Sequence, residues 1–215
     1  MVPYRGVATI TARVGGKLSR FEEARGWEWL IYNPIHFLHF HEAAKRDASA
    51  VFDVIEASFP EASSFVDVGA GSGAYAAEGT RRGHPSVALE RDRFGRFLAR
   101  RQGVDARRFD IRSVNALGRF DLAYCFEVAE HLPPDLGDRL VAFLAASGRE
   151  ILFTAAPPRQ GGTGHINEQP PEYWEERFAR HGRQLNQRKS DDVREALAAR
   201  ALESHWLARN ASVYR

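Results

Sequence analysis

The residues of this 215-residue chain best suited to chemistry are acids and histidines near one apolar run. Glu127, Glu130 and His131 are spaced i, i+3, i+4, so on a helix they project from one face. His165, in the segment GGTGHINEQ, is placed to close a fourth side. Two carboxylates and two imidazoles suit Mg, Mn, Fe or Zn better than Ca. The sequence therefore predicts a metal site at these four positions.

The same residues have interpretations that need no metal. In one of them His131 or His165 is the catalytic base, because an imidazole with a pKa near neutrality can accept a hydroxyl proton. In another, the glutamate caps a turn and the histidine bonds to the backbone. The residues alone leave these alternatives open.

A glycine-rich stretch, FVDVGAGSGAYA at 65–76, indicates a cofactor. Read as GxGxxA it fits the dinucleotide fingerprint, in which glycines let a strand turn sharply into a helix beside a pyrophosphate. Read as GxGxG it fits S-adenosylmethionine, which has no phosphate. Glu90, 21 residues after Gly69, ends the next predicted strand, and a carboxylate there accepts ribose hydroxyl protons from either cofactor. The loop and Glu90 do not decide between the two.

The elements that must position these residues alternate between strand and helix. Helical segments separate five short β-rich runs: SSFVDVG, PSVALER, VDARRFD, FDLAYCF and REILFTA. This alternation predicts a doubly wound, mostly parallel α/β sheet. In the tail we expect a helix in PPEYWEERFARHG, a weak strand near RQLNQRK, another helix and a last strand in SVYR. The complete expectation is a Rossmann-like sheet of seven strands with an antiparallel C-terminal strand.

The first part of the chain has a different pattern. Residues 1–60 are predicted to form a helical cap or lid, interrupted near Asn33-Pro34, and residues 61–215 the cofactor-binding core. Within the cap, His36 and His39 lie three residues apart and with Tyr32 could cover an acceptor. Histidines of the core or the surface are the commoner outcome of such a pattern.

Four motifs in register resemble the class I S-adenosylmethionine-dependent methyltransferases. They are the hydrophobic-Asp-hydrophobic-GxGxG loop, the acid ending strand two, the Asp of RRFDIR, and FD-hydrophobic followed by E-x-x-EH. The resemblance covers roughly residues 63–215 and implies S-adenosylmethionine as the cofactor. The loop would then receive the methionine portion, Glu90 the ribose, and Asp110 with Ile111 the adenine. The predicted cofactor-binding residues are Asp67, Gly69, Ala70, Gly71, Ser72, Gly73, Glu90, Arg91, Asp110, Ile111, Phe126 and Glu127.

The E-x-x-EH motif with a later histidine is similar to the metal-dependent subset of this family. That subset includes the ubiquinone-pathway O-methyltransferases and the small-RNA 2′-O-methyltransferases, in which a cation lowers the pKa of the accepting hydroxyl. The resemblance implies methyl transfer to a hydroxyl of a small molecule, such as a sugar or a phenol. The alternatives are an N-methyltransferase, an RNA 2′-O-methyltransferase, a nicotinamide-dependent oxidoreductase and a non-catalytic cofactor-binding protein.

Composition bears on the partners. The formal charge is only +2, from 30 basic and 28 acidic residues, and no concentrated basic stretch favours a nucleic-acid partner. The longest apolar run, LVAFLAA, is far too short to span a bilayer, and the first twenty residues lack a signal-peptide core. A single cysteine, Cys125, excludes an intrachain disulfide and fits a reducing compartment. We expect a cytoplasmic protein with a small-molecule acceptor.

Overall fold

The computed structural model describes residues 34–113 and 117–215, and the statements below concern those residues. Their six strands form one sheet in the order β3-β2-β1-β4-β5-β6. The first five strands pair in parallel, and β6 runs antiparallel to β5. The strands are β1 (Phe65–Val68), β2 (Ser86–Glu90), β3 (Asp105–Arg108), β4 (Phe120–Phe126), β5 (Gly148–Thr154) and β6 (Ser212–Tyr214).

Helices cover both faces of this sheet, as expected for a doubly wound fold. They are α1 (Pro34–Ser58), α2 (Ala74–Arg81), α3 (Arg93–Arg101), α4 (Pro134–Ser147), α5 (Pro171–Arg180), α6 (Gln187–Ala198) and α7 (Trp206–Asn210). A 3₁₀ turn, Ala129–His131, precedes α4. No helix within the described ranges has both the length and the apolar character needed to cross a bilayer.

Strand β4 shows how the sequence produces two cores. Its side chains alternate between the faces, so Leu122 and Tyr124 pack with residues of α1, α6 and α7. Ala123 and Cys125 point the other way and pack with residues of α4 and α5. All four side chains are fully buried. This is why the run FDLAYCF is apolar almost throughout, and the interpretation of it as a central buried strand is confirmed.

The expected seventh strand is not present in the described residues. The segment RQLNQRK contributes one isolated bridge, between Leu185 and Tyr214. The next residue, Asn186, is the N-cap of α6, and its side chain accepts a hydrogen bond from the backbone N–H of Lys189. Because the residue after an N-cap is already helical, the extended segment ends after Leu185. The prediction of a mostly parallel sheet with an antiparallel C-terminal strand is confirmed.

Helix α1 lies within residues 1–60, the predicted cap, and packs against the core. Its C-terminal half supplies Val51, Phe52 and Ile55 to the core against β1 and β4, and all three are buried. Its N-terminal half borders the cavity described next. Residues 1–33 of the predicted cap, with Tyr32, lie outside the described residues, as do the side chains of His36 and His39.

Candidate active site

A cavity of about 970 Å³ lies where β1, β2 and β4 end. The strand order reverses here, because the chain runs outward from β1 to β3 and then returns to β4 on the other side of β1. Such a switch point leaves a crevice beyond the carboxyl ends of the strands, where ligands of open α/β sheets bind. The cavity is bordered by the glycine loop, the ends of β2 and β4, and the segments 109–112, 160–165 and 204–207.

The glycine loop needs its glycines for different reasons. Gly69, Gly71 and Gly73 all have a positive backbone φ angle, which residues other than glycine rarely adopt. A Cβ atom on Gly69 would lie 2.5 Å from a methyl group of Val128, and one on Gly73 2.5 Å from the Cβ of Ala99. A Cβ on Gly71 would meet nothing within 4 Å. Gly69 and Gly73 therefore allow close packing, whereas Gly71 borders open space in the cavity.

Glu90 fastens the glycine loop to the end of β2. Its Oε2 accepts a hydrogen bond of 2.8 Å from the backbone N–H of Gly71, and its Oε1 one of 2.7 Å from that of Asp92. The side chain borders the cavity, although the residue is only 9% exposed. Burial raises the pKa of this carboxyl to about 7, and the two backbone donors oppose the rise.

Asp67 lies within strand β1, before the glycine loop begins. It is 3% exposed, and its Oδ2 has no hydrogen-bond partner among the described residues. Burial, and secondly the charge of Glu90, raise the pKa of Asp67 well above its ordinary value. Since an unpaired buried carboxylate is costly, proton uptake is favoured here.

Ten of the twelve predicted cofactor-binding residues border the cavity; Asp67 and Gly73 do not. At one end, Asp110 accepts a hydrogen bond of 3.1 Å from the backbone N–H of Arg112, and Ile111 is almost buried beside it. Arg91 is exposed at the rim. Towards β4, the ring of Phe126 meets the ring of Tyr75 edge to face at 5.4 Å. The structure thus gathers residues that the sequence spreads over 59 positions, from Gly69 to Glu127.

Glu127 is not grouped with the other predicted metal ligands. Its Oε2 accepts a hydrogen bond of 2.8 Å from Gln160, and its Oε1 one of 3.0 Å from Asn210. Asn210 also donates to the side-chain oxygen of Gln160 at 2.9 Å, which closes a three-membered network. The helical spacing argument fails because Glu127 precedes the 3₁₀ turn and has a φ of +53°. Glu127 therefore lies outside the group formed by Glu130, His131 and His165, although its charge still acts on Glu130.

The other three residues do come together, and we call Glu130, His131 and His165 the imidazole–carboxylate cluster. One potential ligand atom from each lies within 4.8 Å of the others. The Nε2 of His165 is 4.0 Å from Oε1 of Glu130, and the two imidazole rings stand edge to face at 4.8 Å. The backbone carbonyl of Glu130 also accepts from the amides of Ile166 and Asn167, which fixes the segment that carries His165.

Glu130 is the most unusual member of this cluster. It is 0% exposed, and neither carboxyl oxygen has a geometrically complete hydrogen bond among the described residues. Burial, and then the charge of Glu127, raise its pKa well above the ordinary value, while the backbone amides of Glu130 and Ala156 oppose the rise. A fully buried carboxyl beside two imidazoles has the composition of a metal or proton-transfer site.

Four further residues shape the site and were absent from the predicted set. Gln160 and Asn210 hold Glu127, and Glu168 bonds to His165. His41, on α1, places its Nδ1 2.9 Å from the hydroxyl of Ser72 in the glycine loop. Gln160 and Glu168 lie close to His165 in the sequence, and this closeness was a weak indication that they belong to the site. Only the fold brings His41 to the cavity and Asn210 to Glu127.

No family model matches the sequence, and no curated protein matches it. Solved structures do. The chain is similar to CalS10 bound to SAM, an amino pentose methyltransferase from Micromonospora echinaspora, at 18% identity and a TM-score of 0.61, over 80% of this chain and 90% of that one. The sugar N-methyltransferase KedS8 from Streptoalloteichus matches at 14% identity and a TM-score of 0.56, over 65% of this chain and 79% of that one.

A third similar structure is the magnesium protoporphyrin IX methyltransferase ChlM from Synechocystis with bound SAH. It matches at 13% identity with a TM-score of 0.57, over 92% of this chain and 96% of that one. This chain has the Rossmann-like methyltransferase fold. Two of these three proteins were solved with SAM or SAH bound, whereas the dinucleotide interpretation of the loop finds no counterpart among the three.

Proposed function

We propose that the protein is an S-adenosylmethionine-dependent methyltransferase that methylates a hydroxyl group of a small molecule. The observation that carries the proposal is that one cavity is bordered by both the glycine loop with Glu90 and by His131 and His165. The methyltransferase fold and the cofactors bound in similar structures support it.

The residues at the switch point fit the cofactor. Gly71 leaves room beside the loop because it has no Cβ, and the carboxylate of Glu90 borders that room. Glu90 would accept the ribose hydroxyl protons, Asp110 the adenine amino group, and Ile111 would cover the ring. Phe126 would face the sulfonium, because an aromatic face attracts a cation. When bound, S-adenosylmethionine supplies a methyl group on a positively charged sulfur.

The imidazole–carboxylate cluster would handle the proton that methylation of a hydroxyl releases. His165 and His131 are only partly buried and border the cavity, so either can accept this proton from an acceptor held there. Glu130 lies beside them and can stabilise the imidazolium that results. The walls of the cavity would supply most of the rate acceleration by holding the acceptor in line and excluding water.

The cluster also fits a divalent cation, with three protein ligands instead of the four that the sequence suggested. Glu130, His131 and His165 offer one carboxylate and two imidazoles, which suit Mn, Fe or Zn, and Mg with additional oxygen ligands. A cation here would lower the pKa of an acceptor hydroxyl. Glu127, the fourth residue suggested by the sequence, lies outside this group and bonds to Gln160 and Asn210.

An amine is the second candidate acceptor. It is favoured by the similar structures, of which one is an amino pentose methyltransferase and one a sugar N-methyltransferase. To discriminate, the protein is incubated with cofactor carrying an isotopically labelled methyl group and with matched sugars that bear either a hydroxyl or an amino group. We expect label in the hydroxyl sugar. Label only in the amino sugar would select the second candidate, and transfer of label to neither sugar would exclude these sugars as acceptors.

We expect Gly71→Arg to abolish binding of S-adenosylhomocysteine, measured by isothermal titration calorimetry. Arginine would project into the cavity, since a Cβ at this position meets no protein atom within 4 Å. Gly103→Arg is the matched control, since Gly103 also has a positive φ and open space around it but does not border the cavity. Equal losses in both variants, or unaltered binding in Gly71→Arg, would contradict the assignment of the loop.

Binding of S-adenosylhomocysteine should strengthen about tenfold as the pH rises from 6 to 8. The reason is that the ribose hydroxyls donate to ionised Glu90, whose pKa in the ligand-free protein is about 7. The stability of the ligand-free protein falls as the pH rises from 4.5, the ordinary pKa of a glutamate, to about 7, because within this range the folded state holds a proton that the unfolded state has lost. Glu90→Gln should bind more weakly and lose this pH dependence. A wild-type affinity constant across this range would contradict the role of Glu90.

Mn²⁺ binding, followed by electron paramagnetic resonance, should depend on the cluster alone. His165→Ala and Glu130→Gln should each weaken Mn²⁺ binding by tenfold or more, because each removes one of three protein ligands. Glu127→Gln should weaken Mn²⁺ binding much less than either of these variants, since Glu127 supplies no ligand atom to the cluster and bonds to Gln160 and Asn210. If no variant changes the affinity, the cation proposal is contradicted and the histidines remain as bases.

A further inference from the structure

We propose that Glu168 is a positioning residue that holds the imidazole of His165 in a single tautomer. In this tautomer the lone pair of Nε2 is on the side of the ring that approaches Glu130. The inference deepens the proposed function, because it concerns the orientation of a residue assigned there as a base or a ligand. It is carried by the contacts of Glu168, and none of these requires a bound cofactor or metal.

The carboxylate of Glu168 contacts three nitrogen atoms, two of which are backbone N–H donors. Its Oε1 lies 2.9 Å from Nδ1 of His165 and accepts a hydrogen bond of 2.6 Å from the backbone N–H of Gly161. Its Oε2 accepts one of 2.8 Å from the backbone N–H of Arg159. Both oxygens are therefore engaged as acceptors, and an acceptor facing Nδ1 requires that Nδ1 carry the proton.

The position of this proton determines what Nε2 can do. A neutral imidazole has one N–H, so a proton on Nδ1 leaves Nε2 with a lone pair. Nε2 is the atom that approaches Glu130, at 4.0 Å. His131 is held in the same way, since its Nδ1 lies 3.2 Å from the carbonyl oxygen of Gly164, which can only accept. Both contacts thus place the proton on Nδ1 and leave the lone pair on Nε2, which can then serve in metal ligation or proton uptake.

The loop around His165 is arranged for this contact. Arg159 and Gly161 both have positive φ, and their amides converge on Glu168 from either side of Gln160. A Cβ on Gly162 would collide with the imidazole ring of His165, so glycine lets the loop lie against the ring. Glu168 consequently fixes a segment that carries both His165 and Gln160, the partner of Glu127.

A simpler role for Glu168 would be to cap the helix that follows it. Helix α5 begins at Pro171, and no side chain caps its N-terminus. The side-chain hydrogen bonds of Glu168 all go to residues 159–165, on the cavity side of the loop. The carboxylate therefore serves the site rather than the helix.

The test is the tautomer of His165, read by long-range ¹H–¹⁵N correlation spectra of histidine-labelled protein at pH 8 with chelator present. The chain has eight histidines, and the signals of His165 are assigned as those missing from His165→Gln. We expect a protonated Nδ1 and an unprotonated Nε2 in the wild type. Glu168→Leu, which removes the acceptor, should move the proton to Nε2, whereas Glu168→Gln, which keeps one acceptor oxygen, should retain the wild-type tautomer. Glu172→Leu, at an exposed glutamate on α5, is the control.

A proton on Nε2 in the wild type would overturn the proposal without any variant, and so would an unchanged tautomer in folded Glu168→Leu. In addition, Mn²⁺ affinity should fall about tenfold in Glu168→Leu. S-adenosylhomocysteine binding should change less than twofold, because Glu168 does not border the cavity. Unchanged Mn²⁺ affinity would overturn the positioning role. If the wild type binds neither ligand, the proposed function fails, and the tautomer result still decides the role of Glu168.

Discussion

The structure of the site depends on how closely the glycine loop can approach its neighbours. Without a Cβ on Gly69 the loop contacts Val128 beyond β4, and without one on Gly73 it contacts Ala99 of α3. Glu90 then fastens the middle of the loop through the amide of Gly71. These contacts join the ends of β1, β2 and β4 into one rigid rim, and the cavity lies above it. A side chain at either packing glycine would separate elements that the site needs together.

The burial of three acidic side chains is the second constraint on the structure. Asp67, Glu90 and Glu130 are each less than a tenth exposed, and burial is the main cause of the raised pKa of each. Such groups lower the stability of a fold unless they are protonated or paired, so they are tolerated where the large cores on both faces of the sheet supply stability. Glu90 borders the cavity, whereas Asp67 and Glu130 do not. Buried acids with raised pKa values are more frequent at functional sites than in a surface charge pattern.

Much of the fold could be predicted from the sequence because its signals are local. Apolar runs of strand length and the glycine at each turn predicted the parallel sheet, and the register of GxGxG with Glu90 and Asp110 predicted the end of the sheet where the cavity lies. Two expectations failed where local patterns compete. RQLNQRK has strand propensity, but the N-cap at Asn186 starts a helix. Glu127 has helical spacing to Glu130, but its left-handed backbone breaks the helix before it begins.

The sequence by itself determined which residue types follow each strand, and hence that acids, glycines and a histidine meet at one edge of a parallel sheet. Only the tertiary structure decided which of them touch. It separated Glu127 from the cluster and recruited Gln160, Glu168 and Asn210, which no motif marks. The physical reason is that strand and helix periodicity fix direction within an element. Contacts between elements depend on loop conformation and on packing across the whole fold.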